Sequence, residues 1–481
     1  MITFLVCLAL LVAAYFGYGR YLERVAGIEP AAEVPSKRLY DGVDYVPMPR
    51  WRVFLIQLLN IAGVGPIFGA ILGACFGPVA FLWITGGGIF MGAMHDFLSG
   101  VMSMRNDGRS IPEVIGKYLG RRTTLIVSIF TIVLLILVGV VFMKSPAGIL
   151  AGMVPSVSGS VWIAIIVVYY FAATLLPVDK VIGRLYPLFG AALIFMAAGL
   201  LAVLLFRSGE YVIPELSFRN FQADAAKMPI MPTLFITIAC GAISGFHATQ
   251  SPMMARCITN ERESRSVFYG AMISESIIAL IWAAIAMAFF GGAGELSATL
   301  REHNGDAAWA VNTISRSTLG IAGGILAVLG VVAAPITSGD TAFRSARLII
   351  ADLFGIEQKS RLKRLYISLP LFAVAVVILC IDFDVLWRYF AWTNQTLAVV
   401  VLWSITVWLA REGRNMWVAL PVAVFMTYVC SSFVFVSDQF LGLGVTPWAY
   451  VGGGILTALI TALMWIKILK ERRNGCREKR R

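Results

Sequence analysis

The chain reads as long apolar stretches separated by short polar ones. Apolar segments run near 2–19, 52–76, 79–103, 123–143, 160–176, 186–206, 232–255, 267–290, 319–350, 365–381, 386–410, 417–436 and 447–469. A helix needs about 20 apolar residues to cross hydrocarbon, and these thirteen segments predict an all-α polytopic membrane protein with about thirteen transmembrane helices. The first segment has no basic flank ahead of it and no small-residue cleavage site, so residues 1–22 read as a retained span rather than a signal peptide.

Three segments depart from an ordinary span. In RVFLIQLLNIAGVGPIFGAILGACFGP (52–78), Gly63, Gly65 and Pro66 fall mid-segment. Glycine costs about 1 kcal/mol relative to alanine inside a helix and proline about 3. Two half-helices are therefore predicted, the second starting at Pro66, with Gly65, Gly69, Gly73 and Gly77 forming a smooth stripe toward a neighbour. The seventh segment repeats the pattern: Ser244, His247, Thr249 and Gln250 crowd GAISGFHATQ, and Ser251 with Pro252 reads as the start of a second half-helix. In the ninth, APITSGDTAFRSARLII, Pro335 and Gly339 bracket Thr337 and Ser338, and Asp340 follows. Irregular backbone at membrane depth persists only where protein or a water-filled cavity satisfies it.

Composition sharpens this picture. Hydrophobic residues make up 59% of the chain, charged residues 14%, and mean hydropathy is +0.82. A soluble enzyme, a nucleic-acid binder and a secreted disulfide scaffold are excluded, and the lipid bilayer is the expected surrounding. The net charge of +12 then marks topology rather than nucleic acid. Loops after odd-numbered segments, with the tail, hold 30 of the 39 Lys and Arg, against 7 in the other loops. That bias puts the N-terminus outside and the C-terminus in the cytoplasm. The seven cysteines are scattered without metal-ligand spacing, and no metal, cofactor or catalytic residue is expected.

The second and seventh segments enter from opposite sides. Counting five spans from each gives units at 52–206 and 232–410, flanked by the first span and by 417–481. Inverted repeats led by discontinuous helices, with a site between them, are a secondary-transporter signature. The N–H groups of the half-helix after Pro66, at Ile67 and Phe68 beside Gly63 and Gly65, favour a small anion or a carboxylate. With Ser244, His247, Thr249, Gln250 and Ser251 they form the expected substrate site. Ion coupling by H+ or Na+ is expected at Thr337, Ser338, Asp340, Asp96 or Glu275. A carboxylate at membrane depth costs about 2.5–3.5 kcal/mol and normally has a partner. For Asp340, a structural pair with Arg344 one turn on is an equal alternative. Asn394 and Gln395 read as interhelical hydrogen-bonding residues. A membrane-embedded nutrient sensor without transport is the rival function.

At these residues the chain resembles a known family. YDGVDYVPMPRW (40–51), NIAGVGPIFGAILGA (60–74), HDFLSGVMSMRNDGRSIPEVIG (95–116), CGAISGFHATQSPMMAR (240–256), APITSGDTAFRSARLIIAD (334–352) and WRYFAWTNQTLA (387–398) are similar to the carbon starvation protein A family. The resemblance implies an inner-membrane protein linked to peptide uptake in carbon starvation, or to proton-coupled pyruvate transport. It also implies a five-plus-five inverted repeat of the amino acid–polyamine–cation type. By that analogy Thr337 and Ser338 occupy the place of a sodium-site hydroxyl pair.

Overall fold

Glycine and proline decide where the helices of this chain stop. In the computed structural model, which describes residues 1–42, 44–175, 178–356 and 360–478, every regular element is helical among the described residues. Among the described residues seven helices are long and apolar enough to cross a membrane, and the bent pair Arg50–Ile61 and Gly65–Ala74 makes an eighth. The segments predicted near 79–103, 160–176, 232–255, 319–350 and 365–381 are helical too, and are short, broken or charged. Leu176 and the last residues of the basic tail, 479–481, lie outside the described residues.

The first broken helix follows its sequence. Arg50–Ile61 ends at an irregular stretch, 62–64, and the chain resumes at Gly65 with Pro66 in the first turn, bent by 56°. Proline costs nothing there, because its missing N–H would have had no partner. Three glycines of the predicted stripe face the other broken helix, while Gly77 lies against Phe221. Gly65 abuts Cys240, Gly69 lies against the Thr237 carbonyl, and Gly73 abuts Ile238. The two discontinuities therefore touch.

The second break differs from its prediction. The chain unwinds over 238–244 and resumes as Gly245–Ala255, so Ser251 and Pro252 sit inside the second half-helix rather than at its start. Ser244 is the N-cap, in extended conformation. The third prediction also needs correction. Pro335 and Gly339 lie within an unbroken helix, Ala333–Phe354, preceded by a wide turn at Ala327–Val332. The wider turn absorbs the hydrogen bond that Pro335 cannot make. The real discontinuity is Gly320, whose φ of 58° glycine adopts without strain.

Polar contacts sort the loops onto two faces. On the tail face, Arg105 reaches the Ala26 and Gly27 carbonyls, Arg256 reaches Gly108, and Met48 N–H donates to Cys257. On the opposite face the loop 207–229 gathers the Met1 ammonium, Phe76 and Ser297. There the Met1 ammonium and then Thr3 bond Glu215, holding its carboxyl down at about 2. Burial separates core from periphery: the most apolar window of Val385–Arg411 is 89% buried within the protein, that of Pro447–Gly475 17%. The first lies among the other helices and the second is left to lipid.

Candidate functional site

The site forms where the breaks meet. The Gly245–Ala255 helix begins in the protein interior, where water cannot satisfy its first N–H groups. Asn394, from the Phe383–Arg411 helix, supplies the missing acceptor: its Oδ1 takes the Phe246 N–H at 2.7 Å, and its Nδ2 donates to Ser244 Oγ at 3.0 Å. A side chain at Gly245 would strike the Asn394 carbonyl, so glycine permits this close approach. Asn394 thus caps a helix other than its own, which is why that helix starts at 245.

One residue after Phe246, His247 enters a buried chain of titratable groups. Its Nδ1 lies 2.8 Å from Asp96 Oδ2, and the other oxygen of Asp96 lies 2.8 Å from His95 Nδ1. On its far side, His247 Nε2 is 3.4 Å from Glu275 Oε2. All four residues are fully buried. Three helices contribute: Ala93–Met104, Gly245–Ala255 and Gly270–Phe289. An ionised carboxylate only accepts, so Asp96 fixes both histidines with N–H at Nδ1. His247 Nε2 and Glu275 then face each other with lone pairs unless one proton lies between them. The Cys240 thiol comes within 4.8 Å of both, but it is turned to Ser244 Oγ at 3.7 Å and Asn394 Nδ2 at 3.9 Å. The chemistry this cluster offers is proton exchange between an imidazole and a carboxyl.

Several buried polar atoms have no hydrogen-bond partner among the described residues: Gln57 and Asn60 on the first half-helix, Gln250 Oε1, and both oxygens of Glu275. Thr249, Gln250 and Ser251 otherwise bond locally, Thr249 to the Phe246 carbonyl, Gln250 to Thr249, and Ser251 to the His247 carbonyl. The expectation that the Ile67 and Phe68 N–H groups are free for an anion fails, because both donate to the Val64 carbonyl, at 3.1 and 2.7 Å. Gly63 is likewise closed over by the Phe142 ring.

Thr337, Ser338 and Asp340 form a second cluster. Ser338 Oγ donates to the Leu59 carbonyl at 2.9 Å, just before the first break, and is also 2.9 Å from the Ala334 carbonyl. Thr337 turns back to the Ala334 carbonyl at 2.8 Å. Asp340 takes the Tyr186 hydroxyl at 3.2 Å, nearer than Arg344 at 3.9 Å, and Arg344 donates to the Ala173 carbonyl. The Asp340–Arg344 pair is present, with a tyrosine as the closer partner.

A cavity of about 650 Å³ opens on the face opposite the tail, lined among others by Phe68, Lys144, Asp306, Asp382, Phe383 and Arg388. Rings separate it from the breaks. Phe68 lies 6.2 Å from Trp387 between centroids, Trp387 5.5 Å from Phe390, Phe390 6.3 Å from Phe142, and Phe142 6.0 Å from Phe246. Cys240, Phe142, Lys144 and Tyr186 carry no local signal in the sequence, because each meets its neighbours only through packing. Gln57 and Asn60, three apart in an apolar half-helix, were a signal in reach.

Comparison with known proteins adds to this geometry. The chain matches the family described as carbon starvation protein CstA over residues 1–155 and 145–330. It is 44% identical over 339 residues to an uncharacterized membrane protein of Haemophilus influenzae, covering 60% of this chain and 91% of that one. It is 29% identical to the peptide transporter CstA of Escherichia coli over 57% of this chain and 48% of that protein. The pyruvate/proton symporter BtsT of the same species is 27% identical, over 56% and 46% respectively. The chain thus spans about half the length of these transporters. Its fold is similar to the crystal structure of MhsT in complex with L-phenylalanine, with a TM-score of 0.53 at 14% identity, over 89% of this chain and 99% of that one.

Proposed function

The chain belongs to the carbon starvation protein CstA family, and from that premise we propose that it is a cation-coupled secondary transporter importing pyruvate or a short peptide. The observation that carries the reading is His247 held between Asp96 and Glu275 at the meeting point of two broken helices. Buried carboxylates and histidines at membrane depth mark proton pathways, and a discontinuous helix places such a site within reach of both faces. In this reading the units 52–206 and 232–410 are inverted repeats that rock about the breaks. The protein lies in the cytoplasmic (inner) membrane with the N-terminus outside, performs no enzymatic reaction and carries no resident cofactor. The substrate carboxylate sits beside the unpartnered Gln57, Asn60 and Gln250. The coupling proton rides on the His247–Glu275 bridge, and Ser338 with the Leu59 carbonyl offers a second, harder cation site.

Uptake of labelled pyruvate and labelled dialanine into proteoliposomes, under an imposed proton or sodium gradient, tests this. Wild type accumulates one of them with the proton gradient. Glu275→Gln and His247→Gln lose gradient-driven accumulation by about tenfold or more, while Glu275→Gln keeps substrate counterflow, because it removes the proton carrier and not the pathway. Undiminished proton-driven accumulation in both variants refutes the bridge. No accumulation by folded wild type refutes transport and leaves the sensor.

A further inference from the structure

Lys144 has no role in the buried clusters. It lies within the apolar Arg121–Met153 helix, where a cation is expensive unless it faces water or a partner. The cavity answers part of this, since Lys144 and Arg388 both line it. Neither makes an ion pair among the described residues. The single hydrogen bond recorded for the Lys144 ammonium goes to the Ile381 carbonyl, and an ammonium has donors beyond that one. The Arg388 guanidinium makes none among the described residues and also lines an adjoining cavity of about 340 Å³. The acids of the same cavity offset these cations only in part: Asp382 lies near enough to attract the Lys144 ammonium but makes no ion pair with it. Asp306 caps the following helix, taking the Ala308 and Trp309 N–H groups at 2.9 and 3.1 Å. Asp382 stands at the N-cap of Phe383–Arg411 without a capping bond. The start of that helix, at Phe383 and Val385, opens into the same space and adds the positive end of its dipole.

We propose that Lys144 and Arg388 form an outer capture site for an organic carboxylate, above the aromatic layer and distinct from the buried bridge. Arginine grips a carboxylate through paired N–H groups, and lysine adds a point charge. The floor is Phe68, whose ring leans on Trp387 and Phe383, so a captured carboxylate waits where the first broken helix must move to admit it. Asp382 is placed for the ammonium end of a peptide, and pyruvate has no such group. The alternative is that Lys144 only ties down the turn at Ile381, between the helices Arg361–Ile378 and Phe383–Arg411, which would affect folding and not affinity. The proposal rests on the transport reading, and its test separates the two.

Steady-state uptake is measured for pyruvate and dialanine with wild type, Lys144→Gln, Lys144→Arg and Arg388→Gln, each matched for folded yield. Binding of both labelled compounds to the purified full chain in nanodiscs is measured in parallel. Lys144→Gln and Arg388→Gln raise KM about tenfold and leave the maximal rate within about twofold, as expected for loss of one charge-assisted contact. Lys144→Arg stays near wild type. Asp382→Asn raises KM if the transported compound is dialanine and leaves it unchanged if it is pyruvate. Unchanged KM in both neutral variants overturns the site, as does a loss of maximal rate alone that Lys144→Arg does not restore. If wild type transports neither compound, the transport reading fails, and the binding measurement decides the site: weaker binding in Lys144→Gln and Arg388→Gln upholds it, equal binding sinks it.

Discussion

Cys240 occupies the volume that a side chain at Gly65 would need, and Phe142 does the same at Gly63. Both glycines are therefore packing residues at the break before they are anything else. Gly65→Ala is expected to destabilise the protein by about 1–3 kcal/mol through overpacking. Because the overlap involves both Cβ and Sγ of Cys240, pairing it with Cys240→Gly should recover part of the loss. Thermal melting of the single and double variants measures this, and additive losses would refute the contact. The sequence made Gly65 visible, since glycine beside proline in a span is conspicuous. It could not show Cys240 as the neighbour, because that pairing joins positions 175 residues apart. His247 is similar. Its presence was legible, while its two carboxylate partners come from separate helices and only folding selects them.

Among the helices, the breaks were legible in proportion to how local their cause is. At 62–64 the cause is glycine and proline in the segment itself, and prediction and structure agree. At 238–244 the helix restarts earlier than the Ser251–Pro252 pair suggested, because Asn394 supplies the cap from another helix. At Pro335 the expected break is absent: the wide turn at Ala327–Val332 directly precedes the helix, so the proline falls in its first turn, where a missing N–H costs little. The Ser338 bond to Leu59 ties this unbroken helix to the first break. Ser338→Ala should cost about 1 kcal/mol in melting experiments. If a hard cation is also coupled there, any sodium dependence of uptake falls with it, and Asp340→Asn leaves that dependence intact. Sodium dependence lost in Asp340→Asn alone would move the cation to the carboxylate.

Across the whole molecule, the tail face is fastened and the opposite face holds the cavity. Arg105 bonds both oxygens of Glu261, at 2.9 and 3.2 Å, and both carbonyls at Ala26 and Gly27, while Glu29 N–H adds to Glu261 at 2.5 Å. This clasp joins the chain after the helix Tyr18–Ala26 to the end of the Asp96 helix and to the turn at Glu261–Glu263, between the helices that carry His247 and Glu275. Glu261 is almost fully buried, so Glu261→Gln leaves a partly buried guanidinium short of its anion, at a cost of about 2 kcal/mol or more. Faster backbone hydrogen exchange over 27–42 and 256–263 is the expected readout. Exchange confined to its wild-type rate in both segments would mean that the clasp does not hold this face shut.

What the sequence determined by itself is what depends on neighbours in the chain. The amount of apolar surface forced a membrane location, the apolar run lengths forced helices, and glycine with proline forced the first break. The long ordered motifs also carried the family. What only the tertiary structure decided is which distant groups share a buried space: Asp96, His247 and Glu275 as one chain, Asn394 as a cap, Ser338 on the Leu59 carbonyl, and Lys144 beside Arg388. The physical reason is that a buried polar group must find its partner wherever packing brings one, and packing joins residues with no regard to their separation along the chain.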